Sequence, residues 1–115
     1  MEPLYDKLGR VSAWLQQDVG RIVGLDGQHL AFIEHDSVYD WHGNHLGWWG
    51  DGHMRDVEGA VVVWLATAEN LEVPRPALGE RPARPPLVAV PARPARSIPP
   101  VRPVRAARWS NRMPF

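Results

Sequence analysis

VYDWHGNHLGWW, residues 38–49, decides the fold. A β-branched and an aromatic residue lead in, Asp40 and Gly43 frame a tight turn, and a run of strand formers leads out. That order reads as a β-hairpin. Three further segments repeat it: LYDKLGRVSAWL (4–15), IVGLDGQHLAFI (22–33) and MRDVEGAVVVWL (54–65). The aligned glycines are Gly9, Gly27, Gly43 and Gly59, spaced 18, 16 and 16 residues apart. Internal similarity at so short a period implies one small unit copied four times.

The turn has a mechanism. Asp6, Asp40 and Asp56 sit where a side-chain oxygen can accept from the main chain two residues on. The glycine three places later supplies the positive φ of a type I turn followed by a bulge. Gly24 stands in the aspartate's place in the second unit, which predicts a slightly weaker turn there. A helical reading fails because the apolar spacing has period two and a glycine returns in every unit.

Five residues after each glycine stands an aromatic: Trp14, Phe32, Trp48 or Trp64. Plain alternation puts Ser12, Leu30, Leu46 and Val62 on the same face. Four equivalent aromatics predict a core ring about a pseudo-fourfold axis. The opposite face is also apolar at one level, at Leu15, Ile33, Trp49 and Leu65. A one-sided sheet is polar there. The tail, another copy of the chain or a partner is expected to cover it.

These four units, with the Pro/Arg-rich extension that reaches Trp109-Ser110, resemble the bacterial four-fold β-flower proteins. The resemblance is strong over about residues 3–70 and extends to the tail by composition. It implies four antiparallel hairpins closed into a shallow, nearly symmetric barrel. It implies no particular activity, since fold alone does not carry function. The expected architecture is all-β: a four-hairpin domain over residues 1–70 and a Pro/Arg-rich extension over 71–115, disordered or docked on the domain.

Charge divides the chain at the same place. Residues 1–70 carry four basic and eleven acidic side chains, and residues 71–115 carry nine arginines against two glutamates. A net of −7 therefore faces a net of +7. Eleven of the twelve prolines lie in the second part, which excludes a packed helix or a central strand over most of it. Segments such as RPARPP (81–86) and PARPAR (91–96) are expected to sample polyproline II. The arginines suit contacts to carboxylate, phosphate or aromatic rings. Three readings of the extension stand side by side: a solvated arm, a segment docked on its own or a neighbouring chain, and an arm for nucleic acid or an anionic membrane. Leu87-Val88-Ala89-Val90 can add an edge strand in the docked reading. The terminal Trp109, Met113 and Phe115 read as anchors.

Size and composition exclude other classes. The length rules out a two-domain enzyme, and no apolar run approaches the roughly 18 residues of a spanning helix. The chain has no cysteine, so disulfides and thiolate sites are excluded. The acidic start, Met1-Glu2-Pro3-Leu4-Tyr5-Asp6, has no secretory pattern, and a cytoplasmic location is expected. Asp6, Asp40 and Asp56 recur at one turn position, so they read as structural and not as an acid/base pair. His42 and His45 have metal-like spacing, but no acidic or thiol ligand lies in phase with them. No metal, cofactor, catalytic group or small-molecule substrate is assigned on these grounds. The candidate contact residues are departures from the repeat: Arg55, where two other units have Tyr5 and Tyr39, the hairpin-tip Trp41, and Trp49, with Trp109 and Phe115 in the tail. Function is expected to be non-enzymatic binding or scaffolding. A homo-oligomer is one form of it. Peripheral anionic-membrane or nucleic-acid association is the alternative.

Overall fold

The computed structural model describes residues 1–112 and 115. Eight strands close into one antiparallel barrel in chain order: β1 (Glu2–Tyr5), β2 (Val11–Gln16), β3 (Arg21–Val23), β4 (His29–Glu34), β5 (Ser37–Tyr39), β6 (His45–Gly50), β7 (His53–Asp56) and β8 (Val61–Trp64). Closing the sheet removes its edges. The seam between β8 and β1 is short, a single pair of Tyr5 with Trp64. It is reinforced by the Trp64 indole N–H donating to the Asp6 carbonyl at 3.0 Å. Among the described residues no helix is long and apolar enough to cross a membrane.

Each Asp-x-x-Gly segment forms a hairpin turn. Asp6 Oδ1 accepts from the N–H groups of Leu8 and Arg10, Asp40 Oδ1 from His42 and Asn44, and Asp56 Oδ1 from Glu58 and Ala60. The four glycines have φ between 78° and 88°. In the second turn Gly24 keeps the same main-chain bonds, to Gln28 and Gly27. There Asp26, two places later, supplies the carboxylate and accepts from the Gln28 N–H.

The faces differ from the alternation expected. In every hairpin the pairing register shifts by one residue just after the turn: Tyr5 pairs with Val11 but Leu4 with Ala13, and the other three units repeat the shift. The extra residue is Ser12, Leu30, Leu46 or Val62. A bulge inserts one residue into one strand, so it exchanges the faces on either side of itself. Leu30, Leu46 and Val62 therefore pack inward, opposite the aromatics five after the glycines. The inner cluster is aliphatic: Leu4, Ala13, Leu15, Ile22, Ala31, Val38, Met54, Val63 and Leu65, with Ile33 and Trp49 against it. The level expected to need an outside cover is thus the barrel interior. The aromatics Trp14, Phe32, Trp48 and Trp64 line the outside, yet each is at most 5% exposed. Something covers them there.

Candidate functional site

The cover is the proline-rich extension, which runs round the barrel as a girdle. It has a period of nine. Arg75-Pro76, Arg84-Pro85, Arg93-Pro94 and Arg102-Pro103 are four Arg-Pro pairs at equal spacing. The prolines of these pairs are buried or half-buried, while most of their neighbours are exposed. Arg75 lies over the Trp64 ring at 5.8 Å, Arg93 over Phe32 at 4.9 Å and Arg102 over Trp48 at 5.9 Å. Cation–π stacking gives each of these arginines a partner at one level of the barrel.

The turn glycines receive the girdle's main chain. A Cβ on Gly9, Gly27, Gly43 or Gly59 would collide with the carbonyl of Ala77, Pro86, Ala95 or Val104, again nine apart. The glycine carbonyls accept in return from Gly79 N–H at 2.7 Å, Ser97 N–H at 2.8 Å and Ala106 N–H at 3.1 Å. These glycines are buried although they sit in hairpin turns. Positive φ makes them glycine once, and close approach of another backbone makes them glycine again. The nine-residue spacing was present in the sequence. The density of proline hides it, because every short Pro-x-x-Pro phrase looks fortuitous there.

Charge complements this register. Arg93 and Arg96 pair with Glu34, Arg102 with Asp36 at 2.8 Å, Arg105 with Asp51 at 2.9 Å, and Arg108 and Arg112 with Glu58 at 3.4 and 2.6 Å. All are part-exposed, so solvent and salt screen each of them. Arg81 and Arg84 are exposed and meet no carboxylate among the described residues.

Both ends of the girdle meet at the fourth unit, and Arg55 is where they close. Its side chain is 4% exposed. It donates to the Asn70 and Leu71 carbonyls where the girdle departs, to Ala106 O where it returns, to Gly59 O in the turn, and to His53 Nε2. Arg55, a candidate partner contact on the sequence, is thus engaged within its own chain. It stands where other units have tyrosine, and here its side chain meets main-chain carbonyls of both girdle ends. The closure continues past it. Val61 N–H donates to Arg108 O and Ser110 N–H to Val61 O, with Trp109 against Trp64 at 6.5 Å. The Ser110 hydroxyl donates to Asp56 Oδ2, which is buried, so this turn aspartate is also a clasp.

The other candidates are dispersed. Trp41 does not stand out at its hairpin tip. It folds back onto Phe32 at 4.9 Å and His29 at 6.0 Å and is half-buried. Trp49 packs against the inner cluster, on the opposite face of the sheet, so the two form no common patch. Phe115 is half-buried, packs against the inner cluster and lines a cleft of about 290 Å³ with Leu30, Val62 and Ser12. Met113 and Pro114 lie outside the described residues. His42 is exposed in its turn, whereas His45 is held between Tyr39 and Trp48, at 5.4 and 4.7 Å. Among the described residues no three His, Cys, Asp or Glu side chains are grouped to hold a metal ion.

Burial lowers the proton affinity of His45 below the ordinary imidazole value, and the nearby Asp36 opposes it in part. Burial also lowers His53, helped by the Arg55 and Arg105 charges and opposed by the Asp51 carbonyl and carboxylate. His53 is neutral as drawn by its bonds: Nε2 accepts from Arg55 Nε, and Nδ1 faces the Asp51 carbonyl at 3.3 Å as a donor.

The family model described as 4-fold beta flower protein matches residues 2–113, running past the barrel and through the girdle. No curated protein and no solved structure matches the chain.

Proposed function

The chain belongs to the 4-fold beta flower protein family, and from that premise we propose that it is a non-enzymatic binding or scaffold module. The barrel is the platform and the girdle is the surface it presents. The observation that carries this reading is the girdle's register: Arg-Pro pairs nine residues apart, set on aromatics and turn glycines of the successive units. Several polar groups that chemistry would recruit are engaged within the fold. The turn aspartates accept main-chain N–H groups, and Arg55 and His53 bond to each other and to carbonyls. What faces outward instead includes aliphatic side chains, with Ile98, Val101 and Val104 at least 90% exposed.

Amide NMR spectra of the whole chain beside a 1–72 fragment, at low and high salt, test the reading. Dispersed girdle resonances, and barrel shifts on truncation, are the expected result. A fragment that is monomeric, equally stable and spectrally unchanged would remove the girdle from the platform. The alternative, a surface for anionic lipid or nucleic acid, draws on Arg81 and Arg84, which meet no carboxylate among the described residues. Flotation with phosphatidylglycerol vesicles at low salt tests it, and protein left at the bottom of the gradient sinks it.

A further inference from the structure

The girdle repeats four times, but its second repeat is held differently. In the other three, the N–H of the residue four after the arginine bonds to the turn glycine carbonyl: Gly79, Ser97 and Ala106. The equivalent residue is Val88, and its N–H makes no such bond. Its carbonyl instead meets His29 Nε2 at 3.0 Å. Between Gly79 and Ser97 no other main-chain group bonds to the barrel's main chain among the described residues, although the Arg93 side chain reaches Glu34 and Val19 O.

The side chains of this repeat also depart from the pattern. Leu87, Val88 and Val90 are 77%, 47% and 43% exposed, in a four-residue run of strand formers without proline. Leu25, at the tip of the turn this repeat crosses, is 49% exposed. Beneath the run lies a cleft of about 170 Å³, floored by Val23, Gly27 and His29 and walled by Leu87, Val88 and Val90. Just before the run stand Arg81 and Arg84, while every girdle arginine from Arg93 onward has a barrel carboxylate.

We propose that the second girdle repeat, residues 81–90, is a strand-addition site for an extended acidic peptide of a partner protein. This deepens the reading of the girdle as the presented surface and rests on it. Apart from the Val88 carbonyl, which His29 holds, the main-chain N–H and C=O groups along Leu87–Val90 make no main-chain bond among the described residues and supply the ladder, and the cleft receives one side chain of the alternating pair. The guanidinium groups of Arg81 and Arg84 receive the carboxylates, for which their planar fork is suited. Unpaired strand edges pair with whatever extended chain fits them unless charge or shape prevents it. Here the charge selects against a basic chain and against a second copy of this repeat, whose arginines would approach their own kind. A lipid surface fits less well. The exposed groups are aliphatic and lie along an edge of the girdle, whereas interfacial anchors are aromatic.

The probe is a fluorescein-labelled hexapeptide of alternating glutamate and valine, titrated into the full chain and followed by anisotropy and amide shifts. Saturable binding is expected, with shifts at Leu87–Val90 and at least ten-fold weakening in the double variant Arg81→Ser/Arg84→Ser. Lys7→Ser, a cation on the first turn, is expected to leave binding unchanged and serves with a dispersed spectrum as the control for folding. The lysine–valine hexapeptide is expected not to bind. A glutamate–valine peptide methylated at alternate amide nitrogens is expected to lose most of its affinity, because the ladder is lost while charge is kept. Equal binding of the methylated and unmethylated peptides, or shifts away from residues 81–90, overturns the proposal. So does phosphatidylglycerol-vesicle binding that needs Arg81 and Arg84 when the peptide does not bind. A girdle seen docked in the truncation comparison, with no response to the peptide, overturns this inference alone and leaves the platform reading standing.

Discussion

Arg55 is buried with no carboxylate in ion-pair range among the described residues, and its charge is met by four carbonyls and an imidazole. A buried cation persists only where every donor is satisfied, so the side chain and its acceptors depend on each other. Arg55→Met leaves those acceptors orphaned in the core of the closure, and a loss of about 3 kcal/mol or more in urea unfolding is expected. Arg55→Lys keeps the charge but not the fork, and is expected to recover less than half of that. The opposite sign is expected at His45. Both its ring nitrogens are buried without a hydrogen-bond partner among the described residues, and two other units carry valine there. Removing the unpaired polar atoms in His45→Val is expected to stabilise the fold by about 1 kcal/mol, provided the aromatic neighbours close the space. Both His45 and His53 have lowered affinity for protons in the fold. The unfolded chain then binds more protons at acid pH, so stability is complete above the ordinary histidine value and falls as pH drops through it. Stability is expected to fall below about pH 6.5 as the unfolded chain takes up protons that the buried imidazoles refuse, and His45→Val is expected to make that fall shallower. A pH-independent unfolding midpoint between 7 and 5.5 contradicts the assignment.

At the scale of the hairpin, one glycine ties two elements together. Gly43 has φ 87°, and the Ala95 carbonyl occupies the place its Cβ would take. Gly43→Ala is expected to cost about 2 kcal/mol, more than the roughly 1 kcal/mol of left-handed strain alone. The excess is expected to show as faster amide exchange at Ser97, whose N–H donates to the Gly43 carbonyl. Gly50→Ala is the comparison, since a Cβ there meets only the end of Arg102 at 3.7 Å, and little change is expected. Unchanged Ser97 exchange in Gly43→Ala would detach the girdle from the turn. Much of the hairpin was legible in the sequence, because the Asp-x-x-Gly phrase is a local mechanism and its partners are two to four residues away. The faces were not. A bulge at Ser12, Leu30, Leu46 or Val62 leaves no local signature beyond the strand formers themselves, yet it reverses which side is inside. Arg55 was visible as an outlier but not as a closure. Apart from the Gly59 carbonyl and His53, its partners lie 15 to 51 residues on, at Asn70, Leu71 and Ala106.

The whole molecule is a disc with extents of 37 × 37 × 22 Å, and the girdle's length matches it. Nine residues in polyproline geometry reach about 28 Å, so four repeats span about 110 Å, and a disc 37 Å across is roughly 116 Å round. Near-equality explains why the prolines are needed. A flexible chain of this length would coil to a fraction of the distance, whereas a stiff one arrives at the fourth unit already extended. It also makes the girdle's response to length asymmetric. Deleting residues 83–91 keeps the nine-residue phase but removes a quarter of the reach, so the returning end cannot meet Arg55, Val61 and Asp56 together. That variant is expected to lose the Ser110 amide's protection and the Trp109–Trp64 contact, with about 4 kcal/mol of stability from four hydrogen bonds of the closure. Inserting five Gly/Ser residues between Pro91 and Ala92 is expected to cost less than about 1 kcal/mol, since loop entropy grows only slowly with length. Hydrogen exchange at Ser110 and urea midpoints measure both. If deletion and insertion cost the same, the girdle acts as four separate contacts, and the closing of the ring at the fourth unit adds nothing to them.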